Sequence, residues 1–152
     1  MLVVAELVRV LAQLTAAAFA GACLSIALVQ QPVRRELSAS VALDDFRATI
    51  PRAERLQAPL LVVSLLATVA SLVLRFRWPD LVGGLLLLGV LVQTVSTVLP
   101  INRRLLSGAA PDHLAEADAA LARWGRLHVV RTVPAVLGAA LLLVDRVGPT
   151  VR

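Results

Sequence analysis

Three side chains near the carboxyl end of the chain are spaced so that they could form part of one site. Trp124, His128 and Arg131 follow an i, i+4, i+7 pattern and share a face if the segment is helical. An arginine at the centre of a membrane helix costs about 2.5–3.5 kcal/mol, so it should face the bundle interior or a wet cavity. In the alternative interpretation, Arg131 extends to the lipid headgroups, His128 is an interfacial histidine and Trp124 is an aromatic-belt anchor.

Polar residues at a similar depth on other segments are the predicted partners of this cluster. Asn102, Gln93 and Thr97 lie at the end of the third apolar run, and Gln31 follows the first. All four belong to the membrane side that carries the two long connections. Polar groups that converge at one end of an apolar bundle are typical of a small-molecule site.

The residue types argue against a metal, haem or disulfide centre. The two histidines, His113 and His128, would lie about four turns apart on one helix, which disfavours joint ligation. Cys23 is the only cysteine, so neither an internal disulfide nor a CxxC redox motif is possible. No metal and no cofactor are therefore predicted.

The composition indicates an integral membrane protein. Hydrophobic residues make up 59% of the chain, and the mean hydropathy is +0.84. The net charge of +5 comes from short arginine clusters between apolar runs, and aromatic residues are too few for a base-stacking surface, so nucleic acid is excluded as a partner. The absence of lysine favours a bacterial source with a GC-rich genome.

Four apolar runs are long enough to cross a bilayer, which requires about 20 helical residues. Strands of a closed barrel would alternate in polarity, and these Leu, Val and Ala blocks do not. The sequence therefore predicts an all-α, integral membrane four-helix bundle as a single domain over residues 1–152. The predicted spans cover residues 10–29, 56–74, 81–101 and 124–144.

The first helix is predicted to end at Pro32, which cannot continue a helix cleanly. Ala17, Gly21 and Ser25 recur every fourth residue and could form a stripe for close helix packing. The alternative is that this Ala-rich face contacts lipid, and the sequence leaves both possibilities open.

The two long connections are polar but contain helical signals. Leu43, Phe46 and Ile50 suggest an amphipathic helix at the membrane interface. Pro111 and Asp112 resemble a helix start, so the fourth helix is predicted to be long and partly extramembrane.

The segments 32–37 and 100–105 resemble each other, since both begin with proline, carry two adjacent arginines and end with a leucine. Duplication of a helical hairpin and coincidence explain this similarity equally well.

The segment that contains Trp124, His128 and Arg131 resembles the signature of the anthrone oxygenase-like family of small four-helix membrane proteins. That signature has Trp, then Asn or His four residues on, then Arg-Thr after three more. A Pro-x-Asn at the end of the third helix and a proline closing the first also belong to the family pattern. The matching residues are Trp124, His128, Arg131, Thr132, Pro100, Asn102 and Pro32.

The resemblance implies oxidation of anthrones to anthraquinones by dioxygen, without a known metal or flavin. Under this resemblance His128 would act as general base toward a phenol or activated methylene. Arg131 and Asn102 would hold the resulting anion, and Trp124 would pack on an aromatic ring. Gln31, Gln93 and Thr97 remain predicted substrate-binding residues.

Two functional hypotheses follow from these observations. The first is a cofactor-independent oxidoreductase acting on a lipophilic aromatic molecule, and the second is a non-catalytic accessory or lipophile-binding protein. A pocket lined by His128, Arg131 and Asn102 favours the first, whereas side chains splayed toward the headgroups favour the second. Membrane lipid is the other expected partner, and the sequence leaves the oligomeric state open.

The arginine distribution predicts the orientation. Residues 30–57 and 102–127 contain nine arginines, and the opposite side contains five. The positive-inside rule then places both long connections in the cytoplasm and both termini outside the cell membrane.

Overall fold

The computed structural model describes residues 2–107 and 114–144, which are helical almost throughout. Their helices form four continuous rods, each long and apolar enough to cross a membrane. The first rod contains α1 and α2, the second is α3, the third contains α4 and α5, and the fourth is α6. The helices are α1 (Leu2–Ser25), α2 (Gln31–Glu36), α3 (Ala39–Leu74), α4 (Trp78–Gln93), α5 (Leu99–Leu106) and α6 (Leu114–Leu143).

The rods form an up-down-up-down bundle with a square arrangement. The first rod packs on α3 and α6, and α4 packs on the same two neighbours, so the first and third rods lie diagonally opposite. Gln13 Nε2 donates to the carbonyl oxygen of Leu142 at 2.7 Å, which joins the start of the first rod to the end of the fourth. The protein is thus an all-α integral membrane four-helix bundle, and the two described chain ends lie at the same end of it.

A π-helical turn interrupts the first and third rods just before a proline. The turns cover Ile26–Gln30 and Thr94–Val98, and they precede Pro32 and Pro100. Proline lacks an N–H, and its ring collides with the carbonyl of an ideal preceding helical turn, so a wider turn lets the helix continue. The structure therefore departs from the predicted helix end at Pro32, because the first rod runs on to Glu36.

The polar connections are largely extensions of the membrane helices. The predicted interfacial helix is part of α3, and its apolar residues Leu43, Phe46 and Ile50 are buried in a core cluster with Leu121 and Trp124. The expectation that this segment lies on the membrane surface is therefore wrong. With 36 residues, α3 also exceeds the 30 residues of α6, although only the fourth helix was predicted to project. The predicted helix start at Pro111 and Asp112 lies outside the described residues.

A second core cluster fills the membrane part of the bundle. The first rod contributes three small residues, Ala16, Ala20 and Cys23, and one aromatic residue, Phe19. The predicted stripe of small residues faces outward instead, because Ala17, Gly21 and Ser25 are all exposed. Within this single chain the structure therefore supports the lipid-facing alternative for that stripe.

Two glycines mark a close approach between the backbones of α4 and α6. A Cβ atom added to Gly83 would lie 2.9 Å from the carbonyl oxygen of Gly138, and one added to Gly138 would lie 3.0 Å from that of Gly83. The two backbones cross where neither has a side chain. At this crossing the backbones of α4 and α6 are in direct contact.

Candidate ligand-binding cavity

A cavity of about 240 Å³ lies at the junction of the two core clusters. Its walls come from α3 on one side and the third rod on the other. Phe19 and Ile26 of the first rod and Trp124 of α6 contribute to the remaining wall. The lining is mainly apolar, with a polar group at five positions besides the Trp124 indole: Glu54, Gln57, Thr94, Asn102 and Arg131.

The cavity opens sideways between α3 and the third rod. Val62 and Val95 both line it, and they are 44% and 57% exposed. Because both belong to apolar membrane helices, the exposed surface beside them faces the lipid acyl chains. An apolar molecule dissolved in the bilayer could therefore reach the cavity without crossing water.

Arg131 is the buried cation of the cavity, with 7% of its surface exposed. Its Nη2 donates to Gln57 Oε1 at 2.5 Å, and its Nη1 donates to Thr94 Oγ1 at 3.3 Å. Thr94 can accept because its own hydroxyl proton is donated to the carbonyl oxygen of Val90 at 2.7 Å. The side chain thus points into the bundle as predicted and contacts the third helix, but its shorter bond is to Gln57 of the second.

Arg131 makes no direct ion pair among the described residues, although the Cys23 side chain also contacts it and the Glu54 carboxylate lines the same cavity. Gln57 and Thr94 are neutral, and Nε has no hydrogen-bond partner. A buried charge without a directly paired counter-ion is costly. A ligand that carries or develops negative charge in the cavity would remove this cost.

A chain of hydrogen bonds crosses the headgroup end of the cavity. Trp124 Nε1 donates to Asn102 Oδ1 at 2.5 Å, and Asn102 Nδ2 donates to Glu54 Oε1 at 2.5 Å. Asn102 is 4% exposed, and its amide is oriented by having one donor and one acceptor partner. Glu54 is the carboxylate that lines the cavity, and its Oε2 makes no hydrogen bond within the described residues.

His128 lies behind Trp124 and does not line the cavity. The two rings are stacked, with centroids 5.0 Å apart and an interplanar angle of 17°. His128 Nε2 lies 3.1 Å from the carbonyl oxygen of Cys23 and must carry a proton there, since a carbonyl only accepts. The buried Nδ1 has no hydrogen-bond partner. The sequence-predicted base is therefore a support for the indole in this structure.

The other side of the indole is held by Phe46 and Arg34. Phe46 meets Trp124 edge-on, with ring centroids 5.1 Å apart, and Arg34 Cζ lies 5.8 Å from the Trp124 centroid. Arg34 is fixed in turn by an ion pair with Asp45 at 2.7 Å. Trp124 is thus constrained on several sides before any ligand enters.

The remaining predicted substrate-binding residues do not reach the cavity. Gln31 accepts a hydrogen bond from Arg34 at 3.1 Å and packs where a side chain on Gly125 would collide with it. Gln93 donates to the carbonyl oxygen of Leu127 at 3.2 Å, which ties α4 to α6. Thr97 is exposed and bonds the carbonyl oxygen of Gln93 in its own rod.

Sequence reasoning missed three polar residues of the cavity. Glu54 belongs to a stretch interpreted as a connection, where polar residues are expected, and Gln57 lies at the start of the predicted second span, residues 56–74. Had the pattern of Phe46 and Ile50 been continued, it would have placed Glu54 and Gln57 near the same helix face as Leu61. Thr94 lies beside Gln93 at the polar end of the third span, but it was not among the predicted site residues.

No group of three or more His, Cys, Asp or Glu side chains suitable for a metal ion occurs within residues 2–107 and 114–144. The absence of a cofactor stays a prediction.

The fold and the cavity together define a class of protein: a four-helix membrane bundle with a laterally open apolar pocket and a buried cation. Comparison with family models extends this assignment. A model described as anthrone oxygenase matches residues 46–141, and the chain belongs to this family. The match contains the cavity residues of α3 to α6 but excludes the wall contributed by Phe19 and Ile26. Neither a curated protein nor a solved structure matches the chain.

Proposed function

We propose that the protein is a cofactor-independent oxidoreductase of the cell membrane that oxidises a lipophilic aromatic substrate with dioxygen. The observation that carries this proposal is the buried guanidinium of Arg131, which borders an apolar cavity and makes no direct ion pair among the described residues. This guanidinium suits a substrate that is neutral when it enters from lipid and becomes an anion when it loses a proton. Membership of the anthrone oxygenase family supports an activated ring methylene as the reacting group.

Glu54 is the proposed base, because its carboxylate lines the cavity whereas the His128 ring lies behind Trp124. Proton transfer from the methylene to Glu54 would leave a carbanion conjugated with the ring carbonyl. The negative charge then rests largely on that oxygen, where the Arg131 guanidinium can donate a hydrogen bond. Trp124 supplies an aromatic wall for the substrate.

The proposed oxidation uses dioxygen as the only co-reactant. The carbanion transfers electrons to dioxygen, and a carbon–oxygen bond forms. Protonation by Glu54 gives a hydroperoxide, which loses water and leaves a carbonyl. In sum, one CH₂ group and one O₂ give one C=O group and one H₂O, and Glu54 recovers its ionised state.

The test is oxidation of a hydroxylated anthrone by the protein purified in detergent. Quinone absorbance and oxygen uptake should rise in equal molar amounts and faster than with heat-denatured protein. Glu54→Gln should lower the turnover rate by about 100-fold or more, as expected for a lost general base. The matched control is Glu36→Gln, the same change at an exposed site outside the cavity, which should retain the wild-type rate.

Equal rates with native and denatured protein would refute catalysis. Fluorescence quenching by the same anthrone would then separate the remaining possibilities. Quenching that is lost in Arg131→Leu would identify a lipophile-binding protein, and absence of quenching in the wild type would overturn the cavity assignment as well.

A further inference from the structure

A second concavity of about 420 Å³ lies between α2, the first turns of α3, and α6. It shares no lining residue with the ligand cavity. Its floor includes the buried side chains of Ala42 and Leu121, and its rim carries Arg35 and Arg126. We refer to it as the basic groove.

The charged residues of the basic groove leave a net positive charge. Arg35 and Arg126 are exposed, and neither forms an ion pair among the described residues. Arg34 also lines the groove, but Asp45 compensates its charge. Asp118 is the acidic residue of the wall and offsets one of the two rim charges in a formal count, without pairing directly with either arginine. One positive charge remains, which matches the single negative charge of a phosphodiester.

The groove also has a rigid polar group at its base. Arg34 is 2% exposed and makes four hydrogen bonds, to Asp45, Gln31 and Thr49. A guanidinium has five N–H groups, so one N–H of Arg34 is left for a further acceptor. Because its other bonds fix the side chain, Arg34 would lose little conformational entropy on binding a ligand.

The predicted spans place the groove near the lipid headgroups. Arg35 lies six residues beyond the predicted end of the first span at residue 29. Arg126 lies two residues inside the predicted start of the fourth span at residue 124. Basic pockets between membrane helices bind anionic lipid headgroups, and each arginine near the surface contributes to that attraction.

We propose that the basic groove binds the phosphate of an anionic phospholipid, with Arg35 and Arg126 on either side of the phosphodiester. The apolar floor formed by Ala42 and Leu121 contacts the glycerol end of the lipid. The site is independent of the proposed oxidation. Its ligand would occupy the annulus around the bundle rather than the cavity.

The double variant Arg35→Ala/Arg126→Ala tests this proposal. Wild-type protein and variants are titrated with phosphatidylglycerol in detergent, and bound lipid is counted by native mass spectrometry. Loss of both rim arginines should weaken binding by roughly 30-fold, and each single Arg→Gln variant by about fivefold. The single variants keep the test usable if the double variant fails to fold.

The matched control is Arg104→Ala/Arg123→Ala. These exposed arginines line a different groove, between α5 and α6, which also contains Glu116. The charge change is identical, so wild-type affinity in the control supports a specific site. Equal weakening in both double variants indicates general electrostatics and overturns the proposal, as does unchanged binding in Arg35→Ala/Arg126→Ala.

Two further arms distinguish the source of the phosphate. Phosphatidylcholine should bind the wild type far more weakly than phosphatidylglycerol, because it has no net charge. Inorganic phosphate should not displace bound phosphatidylglycerol. If inorganic phosphate raises the melting temperature as much as phosphatidylglycerol does, the groove is a site for free anions, and the lipid assignment is wrong.

Discussion

Arg131 is a buried cation whose hydrogen bonds to oxygen go to the neutral side chains of Gln57 and Thr94. A leucine at this position removes a costly group, so Arg131→Leu should insert into the membrane at least as well as wild type. Lysine keeps the charge but loses the planar arrangement of donors that contacts both Gln57 and Thr94. We expect both variants to lose affinity for an acidic lipophile by about tenfold or more, since bonds to charged groups contribute about 1.5–3 kcal/mol.

The measurement is ligand titration after purification, combined with a protease-accessibility assay of insertion. Arg123→Leu is the control, because it makes the same change on the same helix at an exposed position outside the cavity. If Arg131→Lys binds like wild type and Arg131→Leu only alters topology, Arg131 serves membrane orientation and not ligand binding.

The sequence identified the site residues that conflict with their local surroundings. Arg131 was predicted to face inward because exposing a charge to lipid in the middle of an apolar run is energetically costly. Glu54 lies in a segment expected to be polar, and Gln57 lies at the boundary of the predicted second span, so neither conflicts with its neighbours as Arg131 does. Their roles depend on distant contacts, such as the bond between Glu54 and Asn102, 48 positions apart in the chain. A helical pattern can indicate which face these residues share, but it does not specify a partner on another helix.

Among the helices, the crossing of α4 and α6 is the tightest backbone contact that the glycines reveal. Gly138→Val would place its side chain against the carbonyl oxygen of Gly83, where a Cβ atom alone lies at 3.0 Å. Overpacking of this kind costs about 1–3 kcal/mol when the backbones cannot separate. Thermal unfolding in detergent should therefore show a lower melting temperature for Gly138→Val.

Gly89→Val provides the comparison, because a Cβ atom at Gly89 meets nothing within 4 Å. It lies on α4 and makes the same change in volume and helix propensity. Equal melting temperatures for the two variants would show that the crossing can relax and that it does not fix the helix pair.

Helix number and class followed from the apolar runs, but helix ends did not. Pro32 would normally end an α-helix, because its ring collides with the preceding turn. The wider π-helical turn at Ile26–Gln30 avoids this collision, so the helix continues. The same device recurs before Pro100, so the two similar segments also have similar backbones. Burial of Phe46 and Ile50 by α6 could not be predicted, because it requires knowing that two connections pack on each other.

The bundle as a whole predicts where its loops lie. Ser38 and Ser107 are exposed at the end of the bundle remote from residues 2 and 144, whereas Arg75 is exposed at the opposite end. In a Cys23→Ala background, cysteines at positions 38 and 107 should react with a membrane-impermeant maleimide only after cells are opened, because positive-inside topology places them in the cytoplasm. A cysteine at position 75 should react with intact cells.

Labelling of positions 38 and 107 in intact cells would reverse the orientation. Labelling of only one of them would contradict the four-span topology itself.

Because the cavity opens to the bilayer beside Val62 and Val95, its occupancy depends on the substrate concentration in the membrane and not on that in water. A site filled from the bilayer equilibrates with the mole fraction of substrate among the lipids and not with its molarity in water. Adding inert lipid at constant total substrate would then lower occupancy by surface dilution, with no competitor present. For a fixed amount of substrate, a large membrane area would lower the occupancy of the cavity, and a small membrane area would raise it toward saturation.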